Sequence, residues 1–303
     1  MGMSANQLAL VRYVAENNIR KAKEAALCCC VEDTTQKNHY AVARYQQLLR
    51  SGGMNLFELP ANISSFATME DLTNTYLENR YYLTDDERQL FELIKNMNDV
   101  SLQLMEKQIS YLNATLLYGE SGVGKTAFSR YVAYKLGLPY LYVNFSKMIE
   151  GLLGGTVKNL SYLFGFINQQ KCVVMLDEID SLAVKREYSN SSASAEISRS
   201  TTCLLQLLDS VTNDHVIIAA TNLIDHIDKA VMRRFTEKHE LHRLTSKDNE
   251  KFICQYLTDA DFSFDLDSVR RYAAENHSQA EIMTHVTRCI ADTLIKKKVC
   301  VVL

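Results

Sequence analysis

A glycine-rich segment carries the first residues whose types and spacing could do chemistry. Residues 119–126 read Gly-Glu-Ser-Gly-Val-Gly-Lys-Thr, lie between an apolar run and a helical stretch, and fit the pattern G-x-x-x-x-G-K-[ST]. Glycines allow successive backbone N–H groups to curl around phosphate oxygens, and the start of the next helix adds a favourable partial charge. We expect Lys125 to reach the β- and γ-phosphates of a nucleotide and Thr126 to offer its hydroxyl to Mg²⁺. The residues predicted to bind nucleotide here are Gly119, Glu120, Ser121, Gly122, Val123, Gly124, Lys125, Thr126 and Ala127.

Two adjacent acids end a later apolar run. Residues 172–178 read Cys-Val-Val-Met-Leu-Asp-Glu, which predicts a buried strand with Asp177 and Glu178 at its tip. We expect Asp177 to position Mg²⁺ partly through its water shell, and Glu178 to orient and deprotonate an attacking water. An acid pair at a strand end is common by itself, so this interpretation depends on the phosphate loop that precedes it. Together the two segments predict that the chain binds ATP with Mg²⁺ and hydrolyses it.

A third apolar run leads to more candidate catalytic residues. It spans residues 215–220 and is followed by Asn222, whose amide is expected beside the γ-phosphate and the attacking water. Further on, Arg233 and Arg234 are predicted to reach the nucleotide of a neighbouring subunit more easily than their own. Guanidinium groups placed in this way stabilise the charge that develops on a transferred phosphoryl group. The alternative is a pair of surface arginines in a helix.

The elements that must position these residues alternate between strand and helix. Four apolar runs have amphipathic segments between them, and such alternation predicts an α/β fold with a parallel sheet covered by helices on both faces. After Leu244 we predict three helices, which start near Ser246, Leu266 and Ser278 and form a small helical domain. The four predicted strands are 114–118, 140–143, 172–176 and 216–220.

The residues before the first of these strands predict a separate helical part. Residues 4–50 contain two helical stretches, with apolar positions such as Leu8, Val11 and Val14, and predict a helical hairpin. It could recruit a client or an adaptor, or serve only in packing and oligomerisation. Residues 69–111 are again predicted to be helical. The predicted division is 1–52 for the hairpin, 53–68 for a linker, 69–244 for the α/β nucleotide-binding part and 245–303 for a helical lid.

With these motifs in order, residues 66–298 resemble the AAA family of ATPases. The segment that ends at Thr126 looks like Walker A, residues 176–180 like Walker B, and residues 219–235 like the second region of homology. The Arg-Arg-Phe form is similar to that of the microtubule-severing members, and residues 154–160 are similar to small bacterial members. The resemblance implies a P-loop NTPase core of the AAA+ type with a five-stranded parallel sheet and a helical lid. It also implies a homo-oligomer, commonly a hexameric ring.

The same resemblance implies roles for two further segments. Residues 278–281, Ser-Gln-Ala-Glu, match the family's Ser-Gly-Ala-Asp turn in the lid, so Gln279 and Ala280 are expected near the adenine. Gln279 departs from the glycine of the family pattern. Leu152 stands where many members carry a pore-loop aromatic that grips polypeptide, and leucine offers apolar contact without the flat ring.

Two functions of different classes follow from these features. The first is an ATP-driven remodeller that pulls on or disassembles protein clients, which would be engaged through the hairpin and the Leu152 loop. The second is an ATP-controlled assembly switch or a DNA-associated regulator, in which hydrolysis only resets the state. A net charge of −3 argues against broad nucleic-acid binding.

Composition and the two ends of the chain bear on location. No apolar run reaches the roughly 18 residues that cross a bilayer, so we expect a cytoplasmic protein that does not enter a membrane. The eight cysteines show neither a disulfide framework nor paired metal ligands. The last four residues, from Cys300, match a prenylation box, and the alternative is that this tail packs on the lid as an apolar strand.

Overall fold

The structure is a computed structural model that divides into two compact units. One comprises Met1–Leu59 and Met69–Tyr76, and the other comprises Pro60–Thr68 and Leu77–Leu303. None of the helices in the described part of the chain is long and apolar enough to cross a membrane. The described residues are 2–15, 19–33, 42–43, 45–46, 49, 59–149, 155–169, 171–183, 192–211, 215–297 and 299–303.

In the first unit, the helices α1 (Ala5–Ala15) and α2 (Ile19–Glu32) pack against each other. Asn6 Nδ2 donates to Glu32 Oε1 at 2.6 Å and ties the start of α1 to the end of α2. The first predicted helical stretch is therefore two helices rather than one. The second predicted stretch, around residues 40–49, lies mainly outside the described residues. The predicted apolar positions Leu8, Val11 and Val14 are all exposed, at 58%, 51% and 59%.

A six-stranded sheet in the order β1-β3-β4-β5-β2-β6 organises the α/β part. The pairings of β2 with β5 and β6, and of β4 with β3 and β5, are parallel, as alternating strands and helices require. The α/β class is confirmed, but the predicted count of five strands was one too low. The strands are β1 (Ala67–Glu70), β2 (Asn113–Tyr118), β3 (Tyr140–Asn144), β4 (Val173–Asp177), β5 (Val216–Thr221) and β6 (Glu237–Glu240).

Two strands escaped prediction because their residues do not read as apolar runs. β1 includes two residues placed in the linker, and β6 reads Glu-Lys-His-Glu with no apolar side chain. The helical prediction for residues 69–111 was wrong at its start, since the helix α3 (Asp85–Glu106) begins only after a single 3₁₀ turn at Glu78–Arg80. A capping box opens α3, because Thr84 Oγ1 accepts from the Glu87 N–H and Glu87 Oε2 accepts from the Thr84 N–H.

The remaining helices pack on the sheet or follow it. Between the strands lie α4 (Lys125–Leu136), α5 (Phe145–Met148), α6 (Gly155–Ile167), α7 (Ser192–Asp209) and α8 (Lys229–Met232). The lid follows with α9 (Ser246–Asp259), α10 (Leu266–Ala273) and α11 (Gln279–Ile295), which start at capping residues Thr245, Asp265 and Ser278.

The end of the chain packs on the lid. Val301 is fully buried in the lid core, its N–H donates to Ser263 O at 2.9 Å, and its carbonyl accepts from the Asp265 N–H at 3.0 Å. The tail packs on the lid through Val301, which forms an isolated bridge with Phe264, whereas Val299 and Val302 are exposed. The prenylation box at Cys300 stays a prediction.

Candidate active site

One cavity collects most of the residues singled out from the sequence. It has a volume of about 610 Å³ and lies at the edge of the sheet where β4 and β5 end. Eleven of its lining residues were predicted: Ser121, Gly122, Gly124, Lys125, Thr126, Ala127, Asp177, Glu178, Asn222, Gln279 and Ala280. Five were not: Arg80, Tyr81, Phe252, Tyr256 and Met283. The predicted loop residues Gly119, Glu120 and Val123 lie in the same loop but do not line this cavity.

The loop that follows β2 can take its shape only with glycine at certain positions. Gly119, Gly122 and Gly124 have φ angles of +136°, +79° and +104°, which residues other than glycine rarely adopt. At Gly119 a Cβ atom would lie 2.2 Å from the backbone oxygen of Leu241. Leu241 continues the pairing of β6 with β2, since its N–H donates to Tyr118 O at 2.8 Å. Gly119 therefore allows the backbone of the loop to approach the backbone of Leu241 closely.

Gly119→Ala should consequently destabilise the protein by on the order of 3 kcal/mol, because backbone strain and overlap with Leu241 act together. Gly165→Ala is the matched control. A Cβ at Gly165 in α6 would meet nothing within 4 Å, so this change should stabilise the protein by up to about 1 kcal/mol. Urea unfolding midpoints would measure both, and equal midpoints for the two variants would contradict the role given to Gly119.

Lys125 binds the loop's own carbonyl groups in this structure. Its Nζ donates to Gly119 O at 2.8 Å, to Glu120 O at 2.7 Å and to Asn222 Oδ1 at 2.7 Å. Burial lowers the pKa of this ammonium, and the carboxylates of Asp177 and Asp180 oppose that effect. The cation is thus held directly over the loop, next to the amide of Asn222.

The acid pair is held by two different kinds of contact. Asp177 Oδ2 accepts from the Tyr142 hydroxyl at 3.0 Å, and its Oδ1 accepts from the Glu178 N–H at 3.0 Å. Burial raises the pKa of the Asp177 carboxyl, and these two hydrogen bonds oppose the rise. Glu178 has a left-handed backbone with φ of 56°, which turns the chain sharply after β4. Tyr142, on the neighbouring strand β3, positions Asp177 and was not predicted.

The donor set suits a hard cation such as Mg²⁺. Asp177 and Thr126 offer oxygen atoms on the same cavity wall, and oxygen ligands are what Mg²⁺ prefers. Among the described residues no group of three or more His, Cys, Asp or Glu side chains could hold a metal ion. A cation here would therefore depend on water and phosphate oxygens for most of its coordination.

The lid touches the phosphate loop directly. The Ala280 N–H donates to Gly122 O at 3.1 Å, which joins the first turn of α11 to the loop. Arg243 adds a second link, because its Nε donates to Glu120 Oε2 at 2.8 Å and its Nη1 to Asn276 O at 2.8 Å. Gln279 and Ala280, expected near the adenine, therefore stand over the loop that is predicted to hold phosphate.

Comparison with known proteins agrees with this geometry. The model of the family described as "ATPase family associated with various cellular activities (AAA)" matches residues 115–243, which include the loop, the acid pair, Asn222 and both arginines. We therefore call residues 115–243, which match this family, the AAA domain.

Relatives of the AAA domain fall into two groups. An uncharacterized AAA family ATPase of Sinorhizobium fredii is 27% identical over 300 residues, which is 95% of this chain and 88% of that protein. A proteasome-activating nucleotidase of Methanoculleus marisnigri is 36% identical over 135 residues, 43% of this chain and 33% of that protein. A 26S proteasome regulatory subunit 10B of Dictyostelium discoideum is 30% identical over 154 residues, 50% of this chain and 39% of that protein. The match thus covers about a third of the nucleotidase and most of the Sinorhizobium protein.

The two arginines of the AAA domain lie outside the cavity of their own chain. Arg233 is exposed. Arg234 forms a bidentate ion pair with Asp209, in which Nε donates to Oδ1 at 3.1 Å and Nη2 donates to Oδ2 at 3.0 Å. The same pairing raises the pKa of the Arg234 guanidinium. Of the predicted catalytic residues, the structure thus brings together Glu178 and Asn222 but not the arginine pair.

Four of the five unpredicted lining residues form the apolar and aromatic part of the cavity, and the fifth, Arg80, borders it. The Arg80 guanidinium lies over the Tyr256 ring, 5.3 Å from its centroid, and also pairs with Asp259. Gln255 Nε2 donates to two backbone carbonyls of the segment before α3, at 2.6 Å and 3.1 Å. This segment is thereby fastened to α9 of the lid. No local motif in the sequence marks these residues, because the contacts join positions about 175 apart.

Proposed function

We propose that the AAA domain binds ATP with Mg²⁺ in this cavity and hydrolyses it to ADP and phosphate. The observation that carries the proposal is the convergence of Lys125, Asp177, Glu178 and Asn222 on one cavity beside a glycine-rich loop. ATP turnover measured against protein concentration is the direct test. Turnover that is absent at every concentration, while ATP still binds, would contradict hydrolysis by this chain alone.

The proposed chemistry follows from where each side chain stands. The loop N–H groups and Lys125 would bind the phosphates, and Thr126 with Asp177 would hold Mg²⁺, which offsets phosphate charge when it is bound. Glu178 would accept a proton from the attacking water, and Asn222 would orient that water beside the γ-phosphate. Arg80, Tyr256 and Met283 would pack around the nucleobase, since this is the apolar part of the cavity.

We also propose that neighbouring copies complete the active site with Arg233 and Arg234. The position of both side chains outside their own cavity supports this, and so does the match of residues 115–243 to a family whose members typically form oligomers. Arg234→Ala should lower turnover by about a thousandfold or more with little change in ATP affinity, because a trans-acting guanidinium stabilises only the transition state. Arg270→Ala, which removes an exposed arginine of the lid, is the control.

Mixing two inactive variants tests the trans arrangement specifically. Arg234→Ala chains keep Glu178, and Glu178→Gln chains keep Arg234, so a mixed oligomer contains some interfaces with both intact groups. Activity that returns on mixing would support shared sites. If each variant is inactive and the mixture stays inactive although the chains co-assemble, Arg234 does not act across the interface.

The proposed use of the hydrolysis energy is remodelling of protein clients by an oligomer, for which a hexamer is the proposed state. The names of the proteasome-related relatives support protein clients. The hairpin, with exposed Leu8, Val11 and Val14, is the proposed recruitment surface, and Leu152 lies outside the described residues. Stimulation of ATP turnover by an unfolded protein such as reduced, carboxymethylated lactalbumin would support this role. Unchanged turnover over a wide range of its concentration would argue against it.

A further inference from the structure

We propose that Gln279 is a phosphate-binding residue, so that the lid contributes directly to the phosphate site. This proposal rests on the proposed function and adds one residue to it. The family pattern has glycine at this position of the lid turn, and a glycine could make no side-chain contact. The chain therefore carries a polar group that the family resemblance does not account for.

The first step of the argument is that the lid turn is fixed over the loop. The Ala280 N–H donates to Gly122 O at 3.1 Å. Ser278, only 5% exposed, forms a capping box in which Glu281 Oε2 accepts from both its N–H at 2.7 Å and its hydroxyl at 2.9 Å. Because the residues on both sides of it are held, the first side chain of α11 must project towards the glycine loop.

The second step is the position of the Gln279 carboxamide itself. A Cβ atom built on Gly124 would lie 2.3 Å from Gln279 Oε1, 3.3 Å from Cδ and 3.6 Å from Nε2. The side-chain amide, with Oε1 as its nearest atom, therefore lies close to Gly124, the residue that precedes Lys125. The backbone N–H groups of this stretch are the ones predicted to bind phosphate oxygens.

The third step is that this amide is available. Within the described part of the chain, the Gln279 side chain has no hydrogen-bond partner, although it is only partly exposed. A carboxamide offers two N–H donors, and phosphate oxygens are acceptors. Gln279 also borders a second cavity of about 390 Å³, lined by the first turns of α3 and α9, so the side chain has room to turn when phosphate enters.

A charge series at Gln279 tests the proposal. Gln279→Glu and Gln279→Lys have side chains of similar length and opposite charge. Beside phosphates, the glutamate should weaken ATP binding by about tenfold or more, and the lysine should preserve or strengthen it. The effect of each substitution on affinity should be smaller for AMP than for ATP, because AMP carries less phosphate charge. Dissociation constants from calorimetry would measure them.

Thr287→Glu and Thr287→Lys provide the matched control, because Thr287 is exposed on the same helix and outside both cavities. They should leave ATP affinity within about twofold, since the solvent screens exposed charges. Equal ATP affinities for Gln279→Glu and Gln279→Lys, or equal losses in both, would overturn the proposal while leaving nucleotide binding itself intact. A wild-type chain that binds no nucleotide would instead overturn the proposed function.

Discussion

Lys125→Ala should weaken ATP binding by about a hundredfold or more, which corresponds to about 2.7 kcal/mol. The reason is that Lys125 is the cation of the glycine-rich loop itself, where its Nζ already lies among three oxygen acceptors. An ammonium in such a place replaces these acceptors with phosphate oxygens, and charged hydrogen bonds are among the strong ones. Alanine offers no donor at all.

Calorimetric titration with ATP would measure this loss, together with a thermal unfolding scan to show that the fold persists. Lys135→Ala is the matched control, because Lys135 lies at the other end of the same helix and pairs with Glu78 on the surface. We expect its ATP affinity to equal that of the wild type. Unchanged ATP affinity in Lys125→Ala would remove the main support for a phosphate site at this loop.

Glu178→Gln should lower ATP turnover by about a hundredfold to ten-thousandfold while ATP still binds. A glutamine has nearly the same shape as the glutamate but cannot take a proton from water. The left-handed backbone at Glu178 places its side chain on the cavity wall beside Asp177, and a glutamine should keep that placement. The variant is therefore expected to accumulate bound ATP.

Phosphate release and the fraction of ATP that stays bound after rapid dilution would measure the two effects separately. Glu92→Gln, on an exposed part of α3, carries the same change of charge and should turn over ATP normally. If Glu178→Gln hydrolysed ATP at the wild-type rate, another group would have to be the base, and Asp180, whose Oδ1 accepts from the Thr221 hydroxyl at the tip of β5, would be the next carboxylate to examine.

The glycine-rich loop and the strand ends could be predicted because each depends on the types of consecutive residues in the sequence. A glycine-rich loop needs its glycines where φ is positive, and the structure has Gly119, Gly122 and Gly124 at such angles. Apolar runs that end in polar residues predicted β4 and β5, because a buried parallel strand must be apolar along its length. The roles assigned to these residues stay predictions.

The rest of the site depends on contacts between distant parts of the chain. Tyr142 reaches Asp177 only because β3 and β4 are neighbours in the sheet, and the pairing of two strands is not visible in either one. Tyr256 faces Arg80 because the lid folds back on the segment before α3. β6 was missed for another reason: an edge strand can carry polar residues such as Lys238 and Glu240 on its exposed side.

The ion pair between Arg234 and Asp209 has a consequence for the rate of ATP turnover in a neighbouring copy. If Arg234 serves the nucleotide of a neighbouring copy, then Asp209 and that nucleotide compete for one guanidinium. Because Arg234 would stabilise the transition state rather than bound ATP, the free energy needed to break this ion pair would add to the barrier for hydrolysis in the neighbouring copy. Asp209 would then help to set the rate of a reaction at a site on another chain.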